Sequence, residues 1–351
     1  MKVAIIGAGA SGLMLANKLE KLNIDYTIFN DGKIGRKILA SGNGRCNISN
    51  RNLSAEYYYG SEVAERLIHR FKDELFDTFK ELKIYTKDDS EGRMYPLSES
   101  SLSVLNALTI NLKGEIVDLK VTEITKKNDK YYINHRSEAF DYVAIGIGSP
   151  SGLKNKPDYS VVESIGVRMN EFKPSLVGFK LKENVKAISG VRAKATVALY
   201  SGGILIHEEK GEVVFKDDGI SGICIMNLSG YYNHNFMEEP VLRVSLVDEE
   251  YDSYLTVLNP KMLEYVEKNK LDPTDLRFNI KGTYDFEFSQ VSSGGVDISS
   301  LRRNLSTVDD GHIFFMGEVI DTDGICGGFN LSFAFLSAIQ VSEAIKNEIS
   351  D

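Results

Sequence analysis

The segment Val3-Ala4-Ile5-Ile6-Gly7-Ala8-Gly9-Ala10-Ser11-Gly12 leaves few folds open to this chain. Four apolar residues, Val3 to Ile6, predict a short buried strand. Gly7 lets the backbone turn sharply, Gly9 carries no side chain to block a phosphate, and Gly12 lets the following helix pack closely on the strand. Ala10 and Ser11 lie in the same turn. The predicted helix, Leu13 to Lys21, directs its unpaired amides and the positive end of its dipole at the same place. A second strand, Tyr26 to Phe29, completes the unit. A strand, a GxGxxG turn, a helix and a strand in this order predict an α/β, Rossmann-like domain that holds a pyrophosphate through Gly7, Gly9, Ala10, Ser11 and Gly12.

NAD and FAD both use such a turn. The end of the second strand usually offers an acid to a ribose; here Asn30 stands there, followed by Asp31, and either side chain can bond a hydroxyl. Two distant segments favour FAD. Tyr142 to Gly148 reads as a buried strand ending in a turn at Gly146 and Gly148. Ile313 to Glu318 reads as another, ending in Gly317-Glu318, whose carboxylate suits a ribitol hydroxyl. A Gly-rich loop, Asp321 to Asn330, follows. It leads into a helix with Leu331, Ala334, Phe335, Ala338 and Ile339 at helical spacing, which brings a second helix N-terminus to the cofactor. Gly327, Gly328, Phe329 and Asn330 are the expected contacts to the flavin pyrimidine. There is no second GxGxxG, and Gly202-Gly203 reads as a hairpin turn. A nicotinamide, NAD(P)H, would therefore have to dock over the flavin and leave again as a transient electron donor.

The chain of 351 residues is long enough for two or three domains, and 42% hydrophobic content supports real cores. A net charge of −9 without a basic run argues against nucleic acid as a partner. No apolar stretch is long enough to span a bilayer, and a first strand at Val3 leaves no room for a signal peptide. Cys46, Cys224 and Cys326 make neither a disulfide framework nor a metal site, and the histidines lack ligand spacing, so no metal is expected. These features point to a cytoplasmic enzyme of a small molecule.

The polar segment Gly32 to Asn50 stands out. It places Arg36, Lys37 and Arg45 in an acidic protein, with Ser41, Gly42, Asn43 and Gly44 between them. Its glycines make it costly to order without a ligand, and it is expected to wrap the pyrophosphate and flavin edge. Arg45 beside Cys46 can activate a thiol, but a buried structural cysteine is the favoured reading. Tyr95 is read as a proton donor or a packed ring, and Arg93 as an anion anchor or a surface ion pair. Cys46, Tyr95 and Arg93 are the catalytic candidates.

Five segments resemble a bacterial family of NAD(P)/FAD-dependent oxidoreductases that includes aminoacetone oxidase-like and dehydro-bile-acid-reductase-like flavoproteins. The first is the dinucleotide turn. The most specific is Gly35-Arg36-Lys37-Ile38-Leu39-Ala40-Ser41-Gly42-Asn43-Gly44-Arg45-Cys46-Asn47, similar to the family's GxGRCN signature. Gly92 to Ser98, Asp218 to Gly222, and Ser293 to Val296 with Gly317 to Asn330 resemble the others. The chain departs from the family at Asn30, at Pro150 to Tyr159, and in a short helical part of the middle insertion. The resemblance implies a glutathione-reductase-like FAD-binding domain over 1–173 and 288–351, and a β-barrel-like insertion over 174–287 that shapes the substrate cavity. It places Val121 at the adenine. It implies hydride transfer through flavin N5, as NAD(P)H-linked reduction of a conjugated C=C or carbonyl compound, or oxidation of an amine by O2. A dehydrogenase using NAD without flavin, and a flavin-binding module without turnover, stay open on the residues alone. Within the insertion, strand-like runs alternate with one helical piece, Leu255 to Lys268. Gly114 to Val143 reads as a small meander, and Ser61 to Ile84 as an amphipathic helix.

Overall fold

The computed structural model describes residues 1–154 and 157–350. Of the divergent stretch Pro150 to Tyr159, Asn155 and Lys156 lie outside the described residues. The chain divides into two units, each with its own hydrophobic core. Of the described residues, the first holds 1–149, 157–172 and 294–350; the second holds 150–154 and 173–293.

The first unit is built on a five-stranded parallel sheet. Its strand order is Ile313–Phe315, Tyr142–Ile145, Lys2–Ile6, Asp25–Asn30 and Glu115–Asp118. Val3, Ile5, Ile28, Val143 and Ile145 are fully buried, as expected of strands covered on both faces. The first helix, Ala10–Leu22, ends on a left-handed Asn23 whose amide returns to Leu19 and Glu20. The amphipathic helix runs Glu62–Glu81, with the Ser61 side chain capping the Ala64 amide. Helix Phe329–Ser350 packs against both.

The meander read over Gly114 to Val143 is corrected. Ile124–Lys127 and Lys130–Ile133 form a hairpin that Phe140 extends through an antiparallel bridge to Tyr131, but Glu115–Asp118 is the edge strand of the main sheet, parallel to the second strand. An exposed edge strand alternates like a hairpin arm, so its pattern did not separate the two.

The second unit is a closed six-stranded antiparallel barrel. Around it run Phe179–Leu181, Gly219–Ser221, Ile204–Phe215, Arg192–Ser201, Val241–Ser245 and Leu276–Thr283, which pairs back with the first. Val197, Leu199, Val213, Phe215, Leu242, Val244 and Phe278 fill its core. Gly202 and Gly203, with φ of 54° and 79°, make the turn of the long hairpin. The expected helical piece begins later than Leu255: it spans Pro260–Asn269, with Pro260 in its first turn and Asn259 as its cap. A second helix, Ile223–His234, escaped the sequence reading.

Candidate cofactor site

The carboxyl ends of the parallel strands Lys2–Ile6, Tyr142–Ile145 and Ile313–Phe315 lie together at one edge of the sheet in the first unit, the side on which open α/β sheets bind ligands. A Cβ added at Gly7 would lie 2.5 Å from the Gly146 carbonyl oxygen, and one at Gly12 only 1.9 Å from that of Gly7. These two glycines, and Gly146 beside Ser11, are consumed by close packing of turn, strand and helix. Gly9 is different: nothing lies within 4 Å of its added Cβ. The same holds at Gly148 and Gly44. Open space over Gly9, at the N-terminus of helix Ala10–Leu22, is the cradle a pyrophosphate needs.

Asn30 ends the second strand with its side chain in the turn. Its Oδ1 accepts the Ala8 amide at 2.9 Å and its Nδ2 donates to the Gly32 carbonyl at 2.7 Å. Asp31 is exposed just beyond it. The Leu119 amide donates to the Asn30 carbonyl at 3.0 Å, which brings the Leu119–Thr122 segment, with Val121 buried, to the same strand end. The Asn134 Oδ1 holds that segment by accepting from the Thr122 and Glu123 amides at 2.9 and 3.1 Å.

From the other side, Lys37 on the short helix Arg36–Ala40 forms an ion pair with Glu318 and donates to Ser149 Oγ at 2.9 Å. Burial pulls the Lys37 ammonium below its ordinary pKa, against the opposing pull of Glu318. The Tyr159 phenol donates to the Gly148 carbonyl at 3.3 Å. Burial, and then the Glu318 charge, push its pKa up, while Arg36 opposes them, so Tyr159 stands among these groups. Ser149 and Tyr159 went unread in the sequence; Ser149 follows the Gly146–Gly148 turn directly, whereas Tyr159 carries no local signal.

The loop expected to wrap the cofactor is held largely by protein. Gly42, Asn43, Gly44 and Cys46 all have positive φ. The Cys46 amide donates to the Ser41 carbonyl at 3.0 Å, and Ser41 Oγ donates to the Ile38 carbonyl at 2.7 Å. Cys46 is fully buried, and burial pushes its thiol up to about 11. The Arg45 guanidinium lies 4.8 Å from the centre of the buried Tyr95 ring. Arg93 pairs with Glu91 and, at 3.7 Å, with Asp89. Cys46, Tyr95 and Arg93 are thus each engaged in local structure.

Downstream, the same segment grips the second Gly-rich loop. Asn47 Nδ2 donates to the Ser49 carbonyl at 2.9 Å while its Oδ1 accepts the Gly328 amide at 3.1 Å. Asn50 Nδ2 donates to the Gly327 carbonyl at 3.0 Å, and the Ser49 and Ser332 hydroxyls lie 2.8 Å apart. Gly328 has no room for a side chain, since an added Cβ would sit 2.3 Å from the Ser49 carbonyl oxygen. Phe329 is buried under Tyr57, ring centres 4.5 Å apart, and its carbonyl accepts the Tyr58 hydroxyl at 2.6 Å. Asn330 closes its own loop through the Gly324 amide and carbonyl, both at 2.9 Å. Gly317 donates its amide to Ser337 Oγ at 2.8 Å. Asp321 accepts the Gly294 amide and the Asn170 Nδ2, both at 2.8 Å, which ties the Gly294-Gly295 turn to this site. The Tyr58 and Asp321 braces were not anticipated.

The residues present fit FAD: a bare glycine over a helix N-terminus for the pyrophosphate, cations at Arg36 and Lys37, and a carboxylate at Glu318 where a ribitol is expected. Among the described residues no helix is long and apolar enough to cross a membrane.

Known proteins bear on this assignment. The chain is 28% identical to the 3-dehydro-bile acid delta(4,6)-reductase of Clostridium scindens and 27% identical to a ribosomal RNA dihydrouridine synthase of Haemophilus influenzae, with 98% of both chains covered in each case. Those alignments extend over 404 and 401 positions, so each relative carries residues that this chain lacks. In fold it is similar to the 3-ketosteroid delta1-dehydrogenase of Sterolibacterium denitrificans, at a TM-score of 0.54 and 8% identity with 99% of both chains covered. It is also similar to a flavocytochrome c3 fumarate reductase, at 0.51 and 11% identity with 100% of this chain and 78% of that one covered. The chain is an FAD oxidoreductase by these likenesses. The family model described as the HI0933-like protein Rossmann domain matches residues 1–344, and the chain belongs to that family.

Proposed function

We propose that this flavoenzyme uses NAD(P)H to reduce a C=C bond conjugated to a carbonyl in a small molecule. The open space over Gly9, at the N-terminus of helix Ala10–Leu22, is the observation that carries the cofactor assignment. The direction of the chemistry draws support from the relatives, since a delta(4,6)-reductase and a dihydrouridine synthase are both named for adding hydrogen to an unsaturated bond. A small molecule is preferred over RNA because the chain carries a net charge of −9 with no basic run. A cytoplasmic setting is part of the same reading.

Bound FAD supplies hydride chemistry at its N5. The chain supplies position and electrostatics. Gly9, with Ala10 and Ser11, would seat the pyrophosphate, and Gly7 and Gly12 would hold the turn and helix in place beneath it; Asn30 and Asp31 would reach the adenosine ribose, and Val121 the adenine. Glu318 accepts a ribitol hydroxyl, and Arg36 and Lys37 neutralise phosphate charge. The amides at the start of helix Phe329–Ser350 stabilise negative charge on the reduced ring, by about 0.3–1 kcal/mol.

The test is anaerobic. Protein loaded with FAD is yellow, is bleached by NADH or NADPH, and regains colour with an enone. A colourless protein that takes up no FAD would refute the cofactor. Reoxidation by O2 alone, after bleaching by an amine, would favour the amine oxidase.

A further inference from the structure

In the first unit, three consecutive tyrosines, Tyr57, Tyr58 and Tyr59, run beside the Gly-rich loop Asp321 to Asn330. The Tyr57 carbonyl accepts the Ile325 amide at 2.9 Å, and the Tyr59 amide donates to the Asp323 carbonyl at 3.2 Å. Between them Tyr58 makes an antiparallel bridge to Gly324, where an added Cβ would lie 2.7 Å from the Tyr57 carbonyl oxygen. The buried Tyr58 ring meets Phe329 edge-on, centres 6.3 Å apart and planes at 77°. Its hydroxyl donates to the Phe329 carbonyl at 2.6 Å.

Packing does not require that bond. Phenylalanine would fill the same space. The Phe329 carbonyl opens helix Phe329–Ser350, whose ladder supplies it with the amide four residues on, so it would not be left unpaired. A buried hydroxyl, by contrast, costs stability unless it is bonded. Burial pushes the Tyr58 pKa up, so the phenol keeps its proton and acts as a donor throughout the working range of pH.

The consequence of the bond lies in the peptide group. The Phe329 carbonyl and the Asn330 amide form one conjugated unit. A donor on its oxygen polarises its N–H and strengthens the bond that N–H can make. This amide belongs to the first helical turn, whose donors the helix cannot pair itself. The Gly328 amide goes to Asn47 Oδ1, and the Ser332 amide to the Gly328 carbonyl. Among the described residues nothing accepts from the amides of Phe329, Asn330 and Leu331. The Asn330 side chain, bonded to both the amide and the carbonyl of Gly324, fixes the same peptide from its other end.

We propose that Tyr58 is a positioning residue that raises the electron affinity of the flavin: its hydroxyl holds and polarises the Phe329–Asn330 peptide, whose amide then stabilises negative charge on the reduced ring. The inference rests on the reading that the FAD pyrimidine lies at this helix N-terminus. Tyr58 acts only through the peptide. Tyr57 supplies the contrast, because it stacks its ring on Phe329, centres 4.5 Å apart, while its hydroxyl has no partner among the described residues.

The experiment compares the full chain, loaded with FAD, with Tyr58→Phe and Tyr57→Phe. Two readouts need no substrate: the dissociation constant of sulfite, which binds more tightly to a more electron-poor flavin and bleaches its visible band, and the reduction potential against a reference dye. Tyr58→Phe should take up FAD as the wild type does. It should weaken sulfite about two- to fivefold, the range of a helix terminus acting on a nearby charge. The same factor lowers the two-electron potential by about 10–20 mV. Tyr57→Phe should match the wild type in both. A Tyr58→Phe variant that melts at a lower temperature yet keeps the wild-type potential and sulfite affinity would reduce Tyr58 to a structural brace and overturn the proposal. An equal shift in Tyr57→Phe would overturn it too, since no bond to the peptide is lost there; either result leaves the FAD reading standing. A wild-type chain that takes up no FAD would overturn both.

Discussion

Gly9 and Gly12 stand three residues apart in one turn, yet the structure assigns them separable costs. At Gly12 an added methyl must move from 1.9 Å to at least 3.4 Å from the Gly7 carbonyl oxygen, a shift of about 1.5 Å imposed on backbone rather than on a flexible side chain. Overpacking typically costs about 1–3 kcal/mol, and a backbone clash belongs at the upper end. At about 2–4 °C per kcal/mol for a unit of this size, Gly12→Ala should lower the melting temperature of the apoprotein by about 6–12 °C. Gly9 has φ −87° and ψ −165°, which alanine adopts freely, and nothing within 4 Å of the new methyl. Gly9→Ala should therefore melt with the wild type. Its methyl occupies the cradle instead, and the same 1–3 kcal/mol now falls on the ligand, weakening FAD about 5- to 150-fold. Thermal unfolding of the apoprotein gives the first quantity. Flavin fluorescence during FAD titration gives the second, read in the visible, well away from the ultraviolet emission of the chain's 17 tyrosines. Equal destabilisation by the two substitutions, or undiminished FAD affinity in Gly9→Ala, would refute the reasoning.

Three further outcomes are expected. Lys37→Met and Glu318→Gln should each destabilise the apoprotein more than half as much as the double variant does, because either alone strands a partly buried partner; a coupling of about 1 kcal/mol in a double-mutant cycle checks the pair, and none would deny it. With the Cys46 and Cys224 thiols pushed up to about 11, only about one in a thousand is thiolate at pH 8, so a thiol reagent should label half-buried Cys326 first, and rapid labelling of Cys46 would contradict its burial. Burial raises the Glu209 pKa above its unfolded value, so the native state binds the extra proton between the two values and stability falls as pH rises through that window; the stability gained by Glu209→Gln should grow from pH 4 toward neutrality, and a pH-independent gain would exclude this origin.

The parts of the fold that a linear pattern carries are those with strong local signals. The strand Lys2–Ile6, its glycine turn and the helix after it are specified by adjacent residues, and the helix Glu62–Glu81 by seven buried apolar positions with a serine cap. Helix Ile223–His234 was hidden for the opposite reason. Its buried face includes Asn227, Ser229 and Gly230, residues poor in helix propensity and apolar surface, so no 3.6-residue stripe appears. Asn30 shows a subtler limit. Its position at the strand end was readable, but the bond from its Oδ1 to Ala8 arises only when strand and turn are folded against each other.

The Gly-rich loop corrects an energetic expectation. Its glycines argued that it would be costly to order without a ligand, and that cost is real. Yet it is offset within the protein. Left-handed Asn43 and Cys46 lie between turns closed by the Arg45 and Cys46 amides, and Asn47, Ser49 and Asn50 bind directly to Gly328, Ser332 and Gly327. The segments expected to contact opposite sides of the cofactor are therefore tied to each other before any ligand is considered. Ordering them at the moment of binding would subtract from FAD affinity; ordering them during folding does not. The glycines are needed because the loop approaches backbone, as at Gly328 against Ser49 and Gly42 against Asn47, where an added Cβ would lie 2.3 and 2.8 Å away. The sequence signature of this segment describes how it is held as much as what it holds.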